Sequence, residues 1–284
     1  MPELPEVETV RRGLAPLVAQ RHIDAVHVYS ARTLRRQAAG PQAFAANFTG
    51  AHVLEVRRRG KYLWLVTDAP YPFLVGHLGM SGQFRRMTDA GAAPERHERA
   101  RFILDDGTVL SFVDQRTFGW LLMDEVEDGR PASVAHIGPD PFDPGFDAEA
   151  AAAALRTRRT GIKRALLDQT LVSGIGNIYA DETLWRVRMH PAKATDALTR
   201  AAAREVFSTA QAVMSEALAA GGTSFDPLYV NVNGESGWFA RNLDAYGREG
   251  EPCRRCGRPI LREAFTNRSS YRCPRCQRRP KRQR

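Results

Sequence analysis

Four cysteines set among basic residues are the first groups in the sequence able to do chemistry. Cys253 and Cys256 are separated by two residues, as are Cys273 and Cys276, and sixteen residues lie between the pairs. Two such tight turns, each supplying two thiolates, form the ligand pattern of a tetrahedral structural Zn2+ site. Two disulfides are the competing reading, disfavoured in a reducing cytosol, and a redox Cys-x-x-Cys would stand as a single copy beside a βαβ pattern. The same stretch is strongly basic: residues 253–284 hold twelve Lys/Arg and one acid, Glu263, so more than the whole formal charge of +9 resides there. A local excess of this kind suits the phosphate backbone, because each neutralised phosphate releases condensed counterions. A solubilising or membrane-attracted tail is the plainer alternative. Joined to a zinc site, the charge reads as a nucleic-acid clamp.

A second feature is Ser173-Gly174-Ile175-Gly176-Asn177, two glycines opening onto a predicted helix. Backbone N–H groups of such a loop can approach an anion closely, and the helix dipole favours negative charge there. Taken alone, Gly-x-Gly reads as a plain helix–helix turn. Arg158, Arg159 and Lys163 a few residues upstream add weight to a phosphate contact. At the other end of the chain, Glu3 and Glu6 begin a helical pattern, where carboxylates also serve simply to favour the helix N-terminus.

These groups need a scaffold, and 284 residues suffice for two domains of ordinary size. Hydrophobic content of 43% and charged content of 26% are those of a globular protein, with no run of eighteen apolar residues to cross a membrane. The start lacks the basic and apolar segments of a secretory signal, so a cytoplasmic protein is expected. Val7, Val10 and Leu14 recur at helical spacing after Pro5, predicting a first helix. Short strands are then predicted at residues 23–29, 53–56, 62–66, 73–77, 101–104 and 108–113, the last two flanking Asp105-Asp106-Gly107, a hairpin signal. This half reads as an antiparallel β-sandwich. Prolines and glycines between His136 and Asp147 mark a linker. Helix formers follow at 148–156, 162–170, 178–187 and 196–220, where Gly221-Gly222 ends the last.

The opening Pro2-Glu3-Leu4-Pro5-Glu6-Val7-Glu8-Thr9 resembles the start of the formamidopyrimidine-DNA glycosylase family. The resemblance continues through Arg58-Arg59-Gly60-Lys61-Tyr62-Leu63, His77-Leu78-Gly79-Met80-Ser81-Gly82, the stretch from Lys163 to Glu182 around Gly176-Asn177-Ile178-Tyr179-Ala180, and Tyr246 to Cys253. It spans nearly the whole chain. The sister endonuclease VIII group typically reads Pro-Glu-Gly at its start, so Leu4 favours the purine-repair branch. The fold implied is α+β: an N-terminal antiparallel β-sandwich with a flanking helix (1–135), a linker (136–147), a helix-two-turn-helix DNA-binding domain (148–237) and a C-terminal four-cysteine zinc finger with a basic tail (238–284).

The resemblance implies a bifunctional glycosylase and abasic-site lyase that excises oxidised purines from double-stranded DNA; with nothing in the sequence pointing to an oligomer, a monomer on DNA is the default expectation. Pro2 would be the nucleophile once Met1 is removed, since its nitrogen is otherwise an unreactive amide. An α-amino group titrates near about 8 and is partly neutral at physiological pH. Glu3 would protonate the opening sugar ring, and Glu6 would orient the amine or shuttle its protons. Lys61 is implied in β elimination and Arg268 in δ elimination, although Arg268 also suits plain backbone binding. A damaged base must leave the stack to react. The wedge that fills its place maps onto Met80, Arg116 and Phe118, of which Met80 and Phe118 otherwise read as core. His77, His97, Arg158 and Asn177 match positions that hold the DNA backbone, though lone histidines are more often structural.

Gln115 and Thr117 stand where the family has proline and a basic residue, and Ser269 where glycine is common; the tail Arg278 to Arg284 runs past the last cysteine. The segment Thr223 to Trp238, with Phe225, Tyr229, Asn231 and Asn233, is expected either to cover the flipped base or to be a surface loop. Two other functions stay open at this point. One is excision of oxidised pyrimidines. The other is a non-enzymatic module recognising distorted or nicked duplex.

Overall fold

The computed structural model describes residues 2–87, 89–223, 232 and 239–280. It divides the chain into two units, Met1–His136 with Gly221–Gly237, and Ile137–Ala220 with Trp238–Arg284.

The first unit begins with α1 (Leu4–Val18), whose Leu4, Val7, Val10, Leu14 and Val18 are all buried on one face. Pro5 sits in the first turn, where its missing N–H costs nothing. Strand β1 (Arg21–Val28) leads through a 3-10 turn (Ala31–Leu34) to α2 (Pro41–Phe48), then β2 (His52–Arg59), β3 (Tyr62–Thr67), β4 (Phe73–His77), β5 (Gly82–Met87), β6 (Glu98–Leu104), β7 (Val109–Asp114) and β8 (Trp120–Asp124). The strands are antiparallel neighbours in the order β5-β7-β6-β1-β2-β3-β4-β8. Strand β1 is the corner: Arg21 and His22 pair with β2, whereas Ile23 to Val28 pair with β6 across a bulge. The halves face each other, since a Cβ added at Gly76 of β4 would meet the Phe84 ring of β5 at 3.5 Å. This is the expected sandwich. Between the halves lie Phe84, Phe102, Phe112 and Leu121, with Phe44 and Phe48 of α2 closing one side. Each fully buried side chain of that size contributes about 1.5–3 kcal/mol.

Helix α2 and strands β5 and β8 were not among the predicted elements. Strand β5 reads Gly-Gln-Phe-Arg-Arg-Met, with one strong β-former, and owes its extended form to the β7 ladder. The unit ends in the short pair β9 (Val126–Glu127) and β10 (Arg130–Pro131), then α3 (Ala132–Ala135).

The second unit contains α4 (Ala148–Thr157), α5 (Ile162–Leu166), α6 (Asn177–Arg186) and α7 (Arg200–Ala219). Asp147 caps α4 through Glu149 and Ala150 N–H, and Thr199 caps α7 through Ala202 N–H, so α7 starts four residues later than predicted. Helix α5 is shorter than predicted. Asp168 Oδ1 draws Thr170 N–H into a turn at 3.0 Å, and Gln169 bridges Gly174 N–H and Ile175 C=O at 2.9 Å each, holding residues 167–176 off the helical path. The hairpin β11 (Leu261–Phe265) and β12 (Arg268–Arg272) completes the unit. Among the described residues no helix is long and apolar enough to cross a membrane.

Candidate active site

The head of α1 gathers groups able to react. Pro2, Glu3 and Glu6 are buried, Glu3 being 1% and Glu6 4% exposed. The two glutamates form a reciprocal capping box in which Glu3 N–H donates to Glu6 Oε2 at 2.8 Å. Glu6 Oε1 accepts from Thr223 N–H at 2.8 Å, so this carboxylate fixes two backbone segments beside Pro2. Glutamate is not among the residues that favour the N-cap position, which Ser, Thr, Asp and Asn occupy more comfortably.

Lys61 is presented by the β2–β3 turn, where Gly60 takes φ +54. That turn is tied to α1: Arg58 donates to Gly60 C=O at 3.1 Å and to Glu8 Oε2 at 3.0 Å. Burial raises the Glu8 carboxyl, but hydrogen bonds and charges from Arg11 and Arg58 outweigh it and hold the group down at about 2. The Glu8–Arg58 link was not read from sequence, where the two residues stand in separate motifs fifty residues apart.

His77 sits opposite Tyr62 in the β3–β4 ladder and stacks on Trp120 with ring centroids 5.6 Å apart. Burial, with the positive charges of Lys61, Arg36 and Arg35, pushes it down to about 4. Its Nδ1 accepts from Gly79 N–H at 3.1 Å, so the neutral ring carries its proton on Nε2 and can donate it.

Met80, Arg116 and Phe118 come together from two loops. Met80 is 41% and Phe118 51% exposed, and Arg116 Nη1 lies 3.9 Å from Met80 Sδ. Exposure of both apolar side chains departs from the core role that their residue types alone suggested. The buried Asp114 organises this apex, accepting from Ser81 Oγ at 2.6 Å, Arg116 N–H at 3.2 Å and Gly119 N–H at 2.7 Å. Gly79, at φ +60, leaves no room for a Cβ beside Phe118 and Gly119 backbone atoms. His97 is half-buried next to the same loops, its C=O accepting from Asp114 N–H at 2.9 Å.

In the second unit, Asn177 opens α6 directly after the glycine loop, and its Nδ2 donates to Ser269 C=O at 2.9 Å. Arg268 is exposed at the start of β12, one residue away. Arg158 is exposed and 3.6 Å from Asp168. Lys163 differs from expectation: it is fully buried, with Nζ 2.7 Å from Asp181, 3.3 Å from Ser269 C=O and 4.9 Å over the Phe265 ring. Its ammonium holds the hairpin to α6 instead of facing a phosphate. Asp181 also accepts from Ser270 Oγ and Tyr271 N–H, each at 2.9 Å, and Glu182 accepts from the N–H groups of Asp244, Ala245 and Tyr246. These two carboxylates, unremarked in the sequence, dock the finger on α6.

The four thiols fit one metal ion. All four Sγ atoms lie within 4.8 Å of one another, near the spacing of about 3.8 Å set by zinc–sulfur bonds of about 2.3 Å. Cys256 and Cys273 Sγ are 3.4 Å apart, far beyond a disulfide bond. Gly257 N–H donates back to Cys253 C=O at 2.8 Å, forming the tight turn such a site needs. Cys253 and Cys273 pack against Trp185 of α6. This is a structural zinc site, and all of its protein ligands come from the finger. Phe225, Tyr229, Asn231, Asn233 and Met1 lie outside the described residues, as do the last four of the tail.

Comparison with known proteins follows the same divisions. The formamidopyrimidine-DNA glycosylase N-terminal domain matches residues 1–121, the H2TH domain of that family 137–227, and a zinc finger found in FPG and IleRS 250–279. A formamidopyrimidine-DNA glycosylase of Salinispora arenicola is 58% identical over 284 residues, covering 99% of this chain and 98% of its own. The MutM (FPG) protein of Thermus thermophilus superposes with a TM-score of 0.83 at 37% identity, covering 97% of this chain and 98% of its own. A substituted form of Lactococcus lactis FPG, in complex with a Fapy-dG containing DNA, superposes at 0.85 with 32% identity, covering 98% of this chain and 100% of its own. From its buried Pro-Glu head to its four-cysteine finger, the chain belongs to the formamidopyrimidine-DNA glycosylase family.

Proposed function

We propose that this chain is a DNA glycosylase acting on damaged duplex DNA, that it excises oxidised purines such as 8-oxoguanine and formamidopyrimidines, and that it then cleaves the strand as an abasic-site lyase. The observation that carries the reading is the head of α1: a proline adjoining two carboxylates that are almost fully buried, in a position where a hydroxyl would cap the helix at less desolvation cost.

With Met1 removed, the Pro2 amine attacks C1′ of the damaged nucleotide, the glycosidic bond breaks and its electron pair leaves with the base. Glu3 delivers a proton to the ring oxygen as the sugar opens, giving an iminium between Pro2 and C1′. The iminium acidifies the C2′ proton; its loss expels the 3′ phosphate in β elimination, with Lys61 assisting the proton transfers. A second elimination then expels the 5′ phosphate, with Arg268 holding the phosphate. Glu6 keeps Glu3 and the segment at Thr223 in register through the two bonds it accepts.

Met80, Arg116 and Phe118 are proposed to fill the place of the flipped nucleotide, and His77, His97, Asn177 and Arg158 to hold phosphates, which position the protein without reading sequence. The neutral His77 would donate a hydrogen bond without adding charge. Zinc shapes the finger and takes no part in bond making. The protein is proposed to act as a cytoplasmic monomer on nucleoid DNA. Pro2→Gly tests the chemistry: both base excision and strand cleavage fall to background while DNA binding persists, and full retained activity would remove Pro2 as nucleophile.

A further inference from the structure

The loop that carries Arg116 and Phe118 is gripped from a segment with no role in the mechanism above. Arg35 follows the 3-10 turn Ala31–Leu34. Its guanidinium donates from Nη1 to Gly119 C=O and from Nη2 to Phe118 C=O, both at 2.7 Å. Nη1 also reaches Arg32 C=O at 3.3 Å, which steadies the arginine on its own turn. The next residue, Arg36, lies 5.6 Å over the Trp120 ring, so consecutive side chains grip consecutive parts of the loop end. From the protein interior, Asp114 holds the same loop by Gly119 N–H at 2.7 Å and Arg116 N–H at 3.2 Å.

Between these anchors Thr117 adopts φ +53, a left-handed conformation that a β-branched residue keeps only when its surroundings impose it. The Phe118 ring stands beyond it, half in solvent. A ring in this position can open a base stack only if its backbone does not yield. Two carbonyls reached by one planar guanidinium form a rigid brace that a single ammonium cannot reproduce.

We infer that Arg35 is a positioning residue that braces the Phe118–Gly119 backbone so that the Phe118 ring can enter the DNA stack. The inference rests on the proposed role of Met80, Arg116 and Phe118, and the test separates the two. Arg35→Met, Arg35→Lys and Phe118→Ala are prepared in the full-length, zinc-loaded protein. Each is mixed with a duplex holding 8-oxoguanine opposite cytosine and 2-aminopurine beside the lesion, whose fluorescence rises when the stack opens. Borohydride trapping on a single-stranded abasic oligonucleotide, where no stack must be opened, is the second readout.

Opening slows about tenfold to a hundredfold in Arg35→Met, as it does in Phe118→Ala. Arg35→Lys recovers part of the loss, and single-strand trapping by Arg35→Met stays at the wild-type rate, which also shows that the variant is folded. Normal opening in Arg35→Met beside slow opening in Phe118→Ala overturns the role of Arg35 alone. Normal opening in both overturns the wedge reading with it. Slow opening in Arg35→Met with normal opening in Phe118→Ala, or an equal loss of single-strand trapping in Arg35→Met, places the action of Arg35 elsewhere and overturns the inference.

Discussion

Glu3→Gln keeps the length and shape of the cap while removing an ionisable carboxyl, so it separates helix capping from proton donation. Loss of a positioned general acid costs about 10²–10⁴-fold in rate, whereas a lost cap costs about 1 kcal/mol of stability. Single-turnover excision is expected to fall by the former amount with little change in unfolding free energy; the reverse pattern would make Glu3 a cap only. Glu8 makes a different prediction one helical turn on. Its folded value of about 2 lies below the ordinary 4.5, so its contribution is present above that ordinary value and is lost as pH falls through the folded one. The side chain is 11% exposed, and the shift corresponds to about 3 kcal/mol. Urea unfolding followed from about pH 5 down to pH 2 should therefore lose about that much more stability in wild type than in Glu8→Gln.

At the scale of elements, two joints carry the design. Gly79→Ala must displace the backbone at Phe118 and Gly119 and also strains a left-handed residue, at a cost of about 1–3 kcal/mol. Excision from duplex should drop more than trapping on single-stranded abasic DNA, and equal losses in the two assays would detach this turn from duplex opening. Asp181→Asn leaves Lys163 buried without its charge partner, a change worth about 3–5 kcal/mol; thermal unfolding of the helical unit and release of zinc should both shift to lower temperature. The sequence showed α1, the hairpin at Asp105–Gly107 and the helix opening at Asn177, because each is set by local periodicity or turn chemistry. It did not show α2, β5 or the early end of α5. Strand β5 depends on its partner β7, the end of α5 on Gln169 hydrogen bonds that no periodicity records, and the eight-residue α2 on burial of Phe44 and Phe48 in the sandwich core. The site divided in the same way. Pro2, Glu3, Lys61 and the cysteines stood out by residue type and by motif, whereas Arg35 acts through backbone carbonyls far away in sequence, Asp114 through the amides of its own loop, and Glu8 through a side chain fifty residues on, none of which a motif records. Lys163 was misjudged for a related reason, since its partner Asp181 lies one helix further along the chain.

For the molecule as a whole, positive charge and metal share one finger. Chelation of zinc, or Cys273→Ser, should abolish DNA binding while the β-rich unit stays largely folded, as circular dichroism and filter binding together would report; retained binding after zinc loss would remove the finger from DNA recognition. The affinity of the intact protein should fall with salt by a log–log slope of about −0.9 per phosphate contacted. None of these measurements touches the covalent step, which borohydride trapping on a duplex with 8-oxoguanine opposite cytosine addresses directly. Peptide mass spectrometry of the trapped complex should find the DNA remnant on the amine of Pro2, which requires Met1 to be absent. A remnant on a lysine, or tight and salt-sensitive binding with no trapped species, would contradict the proposed chemistry.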